Sequence, residues 1–149
     1  MNIDKRKKPN VVLRYFQSKN VGFYLASLSW ILTLAHLIVY QGVAPELFSG
    51  QVVTFGLAGV ILFAALSVFP QTSELAPISL MVCNFLCITS FASIEGIIDY
   101  FSTQFFDGFS MQALFELPFA VWFSVVAFVS AFVLASVAMY VPQVRRRKR

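Results

Sequence analysis

The chain has 149 residues, of which 58% are hydrophobic and 12% are charged, and its 11 Lys and Arg exceed its 7 Asp and Glu to give a net charge of +4. A soluble domain has about 45–50% apolar and about 25% charged residues, so this composition excludes an ordinary water-soluble domain. The 17 phenylalanines exclude a disordered chain, and 2 cysteines are too few for a disulfide scaffold. The composition predicts an all-α integral membrane protein.

Every basic residue lies near one of the two ends of the chain, and no Lys or Arg occurs between Lys19 and Arg145. Basic side chains at the ends of an apolar chain are typical of membrane flanks and argue against nucleic-acid binding. We expect two blocks to contact anionic lipid headgroups, at about 1 kcal/mol for each basic residue. These residues are Lys5, Arg6, Lys7 and Lys8 at the start and Arg145, Arg146, Arg147, Lys148 and Arg149 at the end.

The uncharged intervals predict four membrane-spanning helices, since about 20 apolar residues cross a hydrocarbon core of about 30 Å. A basic segment, 1–20, precedes them, and its second half is either a short helix on the membrane surface or an extension of the first span. The first span exceeds the apolar length of a cleaved signal peptide, so a retained anchor is expected. The predicted spans are 21–41, 51–69, 75–98 and 117–141, followed by a basic tail, 142–149.

The distribution of charge also predicts the orientation of the chain. An even number of spans leaves both termini on one side, and the positive-inside rule assigns the basic side to the cytoplasm. The predicted fold is therefore a four-transmembrane-helix bundle, residues 21–141, with both termini cytoplasmic, in a multi-pass protein of the cell membrane.

The predicted extracytoplasmic linker, 99–116, is unusually aromatic. Phe101, Phe105 and Phe109 follow one another at a spacing of four, which would align them on one face of a helix. Such a linker either lies along the outer membrane surface or docks on a partner. The first interpretation is preferred, because aromatic residues are enriched at membrane interfaces.

Polar side chains within the predicted spans are the candidates for function, because hydrocarbon offers them no water. His36 could accept a proton, ligate a metal or haem, or donate a hydrogen bond to another helix; the last is preferred, since no second histidine is present. Glu95 and Asp99 share a helix face, so they form either a cation or proton site or simply the outer end of the third span. Asn84 can donate a hydrogen bond to a neighbouring helix.

Small residues at helical spacing predict close contacts between spans. Cys83 and Cys87 are four residues apart at bilayer depth, which is not the spacing of a redox pair, and we interpret them as small packing residues. The predicted packing positions are Gly56, Gly59, Ser79, Cys83, Cys87, Ala127, Ala131 and Ala135.

No catalytic, cofactor or metal motif is recognisable in the sequence, and the protein is not expected to be an enzyme. The favoured interpretation is a non-catalytic membrane subunit that scaffolds or stabilises a larger transporter or membrane-anchored enzyme. The alternative is a small homo-oligomeric transporter or channel that uses Glu95, Asp99 and His36. A lipid-modifying membrane enzyme is the least favoured, because only Glu95 and Asp99 form a carboxylate pair.

Overall fold

A computed structural model of the chain describes residues 15–16, 19–69, 71–106 and 118–144. These residues are almost entirely helical. Within the described residues, five α-helices and one short 3-10 helix, η1, have the following bounds in chain order: α1 (Val21–Tyr40), η1 (Pro45–Leu47), α2 (Gly50–Val68), α3 (Ala76–Ala92), α4 (Glu95–Phe106) and α5 (Phe119–Met139).

Proline marks several of the helix boundaries. Phe69, which precedes Pro70, is extended with φ −94° and ψ 130°, as the steric demand of a following proline requires, and α2 ends there. Pro77 occupies the first turn of α3, where its missing N–H leaves no hydrogen bond broken. Pro118 is extended and directly precedes α5.

Helices α1, α2, α3 and α5 pack against one another, and we call this assembly the bundle. Along the chain they alternate in direction, as the pairing of residues from their two ends shows. On α1 and α5, Ser29 donates to the Ala131 carbonyl, whereas the later His36 meets the earlier Phe128. Helices α2 and α3 are also antiparallel. Val52, near the start of α2, accepts from Cys87 near the end of α3, whereas Gly59, farther along α2, lies against Cys83, which comes before Cys87 on α3.

Both described ends of the chain lie at the same end of the bundle. Lys19 and Val144 form an antiparallel bridge, and the backbone N–H of Asn20 donates to the Gln143 carbonyl over 3.0 Å. We call this the terminal end, and the opposite end, which holds Tyr40, η1 and α4, the distal end. The cytoplasmic location of the termini stays a prediction.

Three helices, α1, α2 and α5, are long and apolar enough to cross a membrane. Helix α3 is also apolar but has 17 residues, which gives it a length of about 25 Å. The structure therefore supports a multi-pass membrane protein with three helices of spanning length.

The chain breaks its helix within the predicted span 75–98. Helix α3 ends at Ala92, and a new helix, α4, begins at Glu95. The break turns the chain so that Ile97 is buried against the distal end of the bundle, while Glu95 and Asp99 face outward. Burial of an apolar side chain and exposure of two carboxylates together favour the turn over a straight helix.

Candidate functional site

A row of polar side chains on α1 faces the interior of the bundle. Ser29, Thr33 and His36 follow at spacings of four and three, so they share one helix face, and each is at most 1% exposed. The Ser29 hydroxyl donates to the Ala131 carbonyl of α5 over 2.6 Å. The row thus lies between helices rather than toward lipid.

Asn84 of α3 joins this row. Its side chain is 1% exposed, and its Oδ1 lies 3.1 Å from the Thr33 hydroxyl, which also lies 3.0 Å from the Ser29 carbonyl. The structure brings Thr33 and Asn84 into direct contact, and His36 lies one helical turn from that contact.

The imidazole of His36 is fully buried among aromatic rings. Its centroid lies 3.8 Å from that of Phe128 on α5 and 5.2 Å from that of Tyr40 on its own helix. Neither Nδ1 nor Nε2 has a hydrogen-bond partner among the described residues, and the same is true of Asn84 Nδ2. The expected hydrogen bond from His36 to another helix is therefore not seen, whereas Asn84 does contact α1.

Ser29, Thr33, His36 and Asn84, which we call the polar layer, separate two apolar clusters. Each of the four bundle helices contributes residues to both clusters. The polar layer therefore lies inside the bundle, between an apolar core at the distal end and another at the terminal end. The cluster toward the distal end contains Tyr40, Val43, Val52, Cys87, Phe91, Ile97, Val121 and Phe128. The cluster toward the terminal end contains Ala26, Phe63, Ala76, Leu80, Ala135 and Ala138.

Most of the predicted packing residues face other helices. Gly56 lies against Leu37 of α1, and Gly59 lies against Cys83 of α3. The Cys87 thiol donates to the Val52 carbonyl over 3.4 Å, and both cysteines are free and buried. The three predicted alanines on α5, Ala127, Ala131 and Ala135, are all buried. The Ser79 hydroxyl donates within its own helix, to the Ala76 carbonyl, over 2.9 Å.

The predicted carboxylate pair lies away from the polar layer. Glu95 and Asp99 are exposed in the first turns of α4. Exposed Glu46 of η1 lies at the same end, because its neighbour Leu47 approaches the Cβ position of Gly96 to 3.0 Å. The structure thus does not unite Glu95 and Asp99 with buried His36, but it places exposed Glu46 at the same, distal end of the bundle.

The terminal end contains a buried cation that sequence reasoning missed. Lys19 is 2% exposed, its Nζ donates to the Ser67 carbonyl over 3.0 Å, and it lies 4.5 Å from the ring centre of Tyr15 and 4.7 Å from that of Phe23. Ser67 is in the last turn of α2, where the helix dipole favours a cation. The sequence signal for this arrangement is the spacing of two aromatic residues, Tyr15 four positions before Lys19 and Phe23 four positions after it, which can place both rings beside the ammonium group.

Several predicted positions lie outside the described residues. These are the basic residues Lys5–Lys8 and Arg145–Arg149, assigned to lipid headgroups, and most of the aromatic linker, 107–116. Within α4, the backbone at 101 and 105 is helical.

No protein-family model matches the chain, and comparisons with curated proteins and with solved structures find no significant match.

Proposed function

We propose that the protein is a non-catalytic membrane subunit with four spans, which scaffolds or stabilises a larger membrane complex through its distal end. The observation that carries this proposal is that the polar side chains inside the bundle form hydrogen bonds between helices. Ser29 donates to α5, Thr33 meets Asn84 of α3, and the Trp30 Nε1 donates to the Val60 carbonyl of α2 over 3.0 Å. Interhelical hydrogen bonds and small residues of this kind stabilise bundles in lipid.

Four spans are favoured by the path of the chain. If α1, α2 and α5 cross the membrane, the chain stands at the terminal end after Val68 and must reach the distal end before Phe119. Helix α3 makes that passage inside the bundle. Its length of about 25 Å falls about 5 Å short of the hydrocarbon core, a mismatch that costs only fractions of a kcal/mol per Å. The basic blocks at both ends of the sequence then favour cytoplasmic termini in a cell membrane, in contact with anionic lipids.

The distal carboxylates favour a partner with basic side chains. Glu46, Glu95 and Asp99 are exposed, and residues 20–144 contain no Lys or Arg to pair with them. A positive patch on a partner would meet a negative patch here, and complementary charge of this kind supplies orientation and specificity. The larger transporter or membrane-anchored enzyme is therefore expected to contact this end of the bundle.

Co-purification from the native membrane in mild detergent tests the proposal. We expect one larger membrane protein in stoichiometric amount, and we expect the triple variant Glu46→Lys/Glu95→Lys/Asp99→Lys to lose it. The matched control Glu46→Asp/Glu95→Asp/Asp99→Glu keeps the charge and should retain the partner. Recovery of the unmodified protein as a lone monomer would contradict the proposal.

A homo-oligomeric transporter or channel is the second candidate. It is favoured by the buried ring of His36, which has no hydrogen-bond partner in the part of the chain that the structure describes. Flux into liposomes that contain only this protein tests it. Glu95→Gln, Asp99→Asn and His36→Gln should each reduce that flux if these residues line a pathway. The exposed position of Glu95 and Asp99 on α4, apart from the interior, makes this the weaker candidate.

A further inference from the structure

The polar layer contains more hydrogen-bonding capacity than the protein uses. A neutral imidazole has one donor and one acceptor nitrogen, and both nitrogens of His36 are without a partner among the described residues. Asn84 Nδ2 is likewise unpartnered. An unsatisfied buried polar group is destabilising because it has lost its hydrogen bonds to water, so native structures rarely leave three of them at one depth.

Turning the Asn84 amide does not remove this excess. The Thr33 hydroxyl has a single proton, and it lies within reach of both the Ser29 carbonyl and Asn84 Oδ1. If the amide is rotated so that its NH2 group donates to Thr33, the Thr33 proton is free for Ser29, but Oδ1 is then left open. Either orientation leaves one amide atom of Asn84 without a partner.

We propose that the polar layer binds at least one buried water molecule, which bridges a ring nitrogen of His36 to the amide of Asn84. The occupant must be small, because His36 is 0% exposed and Asn84 is 1% exposed. Water both donates and accepts, so it can pair with either ring nitrogen and with the amide in either orientation. Thr33 lies one helical turn before His36 and its hydroxyl is 3.1 Å from Asn84 Oδ1, so the imidazole and the amide are neighbours within the polar layer.

The site is bounded on both sides by apolar packing. Phe128 covers one side of the imidazole, and the two apolar clusters lie above and below the polar layer. Buried water in such a position is typically held by two to four polar partners and is costly to remove. The bridge would connect α1 to α3 next to the direct bond between Thr33 and Asn84.

Nuclear magnetic resonance of the single histidine tests the proposal directly. The sequence contains one His, so protein labelled with 15N-histidine, purified through a tag without histidine and placed in lipid nanodiscs, gives signals from one ring. We expect a ring N–H that shows magnetisation transfer to protons at the water frequency. A ring N–H with transfer only to protein or lipid protons, or to a solute other than water, would overturn the proposal.

A double-variant cycle provides an independent measurement on the folded protein. His36→Leu and Asn84→Leu each remove one of the two side chains that hold the water. The unfolding equilibrium constant of the double variant should therefore be about tenfold smaller than the value expected if the two single-variant losses of stability were additive. His36→Leu combined with Ser29→Ala is the control and should be additive, since Ser29 bonds directly to Ala131. Additivity in both pairs would contradict the bridge, and the resonance experiment decides the question if a leucine variant fails to fold.

Discussion

Replacing Gly59 by alanine is the sharpest test of how closely α2 and α3 approach. A Cβ at this position would lie 2.8 Å from the Cβ of Cys83, whereas carbon atoms in good contact are about 3.5–4.0 Å apart. Both atoms are attached directly to helical backbones, so only a separation of the helices relieves the clash. Overpacking of this kind costs about 1–3 kcal/mol, against about 0.5–1 kcal/mol that alanine gains over glycine in a helix. The two ranges differ by about 0–2.5 kcal/mol, so we expect Gly59→Ala to destabilise the protein by about 1 kcal/mol.

Two other glycines on α2 provide matched controls. At Gly56 the new Cβ would meet three atoms of the buried Leu37 side chain, Cδ2 at 2.7 Å, Cγ at 3.2 Å and Cδ1 at 3.3 Å, so a rearrangement of one side chain rather than a shift of a helix relieves the contact. At Gly50 nothing lies within 4 Å. Gly50 is the first residue of α2, where alanine gains less than in a helix interior, and we expect Gly50→Ala to change stability by less than about 0.5 kcal/mol. At Gly56 the gain of about 0.5–1 kcal/mol offsets the cost of moving Leu37, so we expect Gly56→Ala to cost less than Gly59→Ala.

Unfolding by SDS titration in mixed micelles, followed by circular dichroism, ranks these variants. The double variant Gly59→Ala/Cys83→Gly removes the opposing Cβ and should recover much of the lost stability, because the clash is between these two atoms. If Gly59→Ala unfolded at the same SDS fraction as Gly50→Ala, the close approach of α2 and α3 would be refuted.

Three further predictions concern the interior and the terminal end. Ser29→Ala should cost about 0.6 kcal/mol by the same unfolding assay, because it removes a hydrogen bond between helices, whereas Ser27→Ala should cost less because Ser27 bonds within α1. Equal losses would argue against the α1–α5 contact. Gln143→Met should cost about 1–3 kcal/mol, since the buried side chain donates to two carbonyls, whereas the same change at exposed Gln71 should be neutral. The two native cysteines are buried, so a maleimide should label them only after unfolding, and rapid labelling of the folded protein would contradict their position.

Much of the fold could be predicted from sequence because the membrane acts on each apolar segment separately. Charged residues and prolines bound the uncharged intervals, and three of the helices that form there are long enough to cross a membrane. The exception is the break after Ala92. No charge or proline stands at Ser93 or Ile94, and the turn depends on the burial of Ile97 against the distal end of the bundle.

The candidate site, by contrast, required the tertiary structure. Thr33 and Asn84 are 51 residues apart in sequence, and their contact depends on how α1 and α3 rotate about their axes. Helices that are apolar on nearly every face carry little information about that rotation, because lipid and protein interior are almost equally favourable for an apolar side chain. Sequence alone therefore identified His36 and Asn84 as unusual polar residues, but only the packing of the helices placed them in one layer and buried Lys19 at the terminal end.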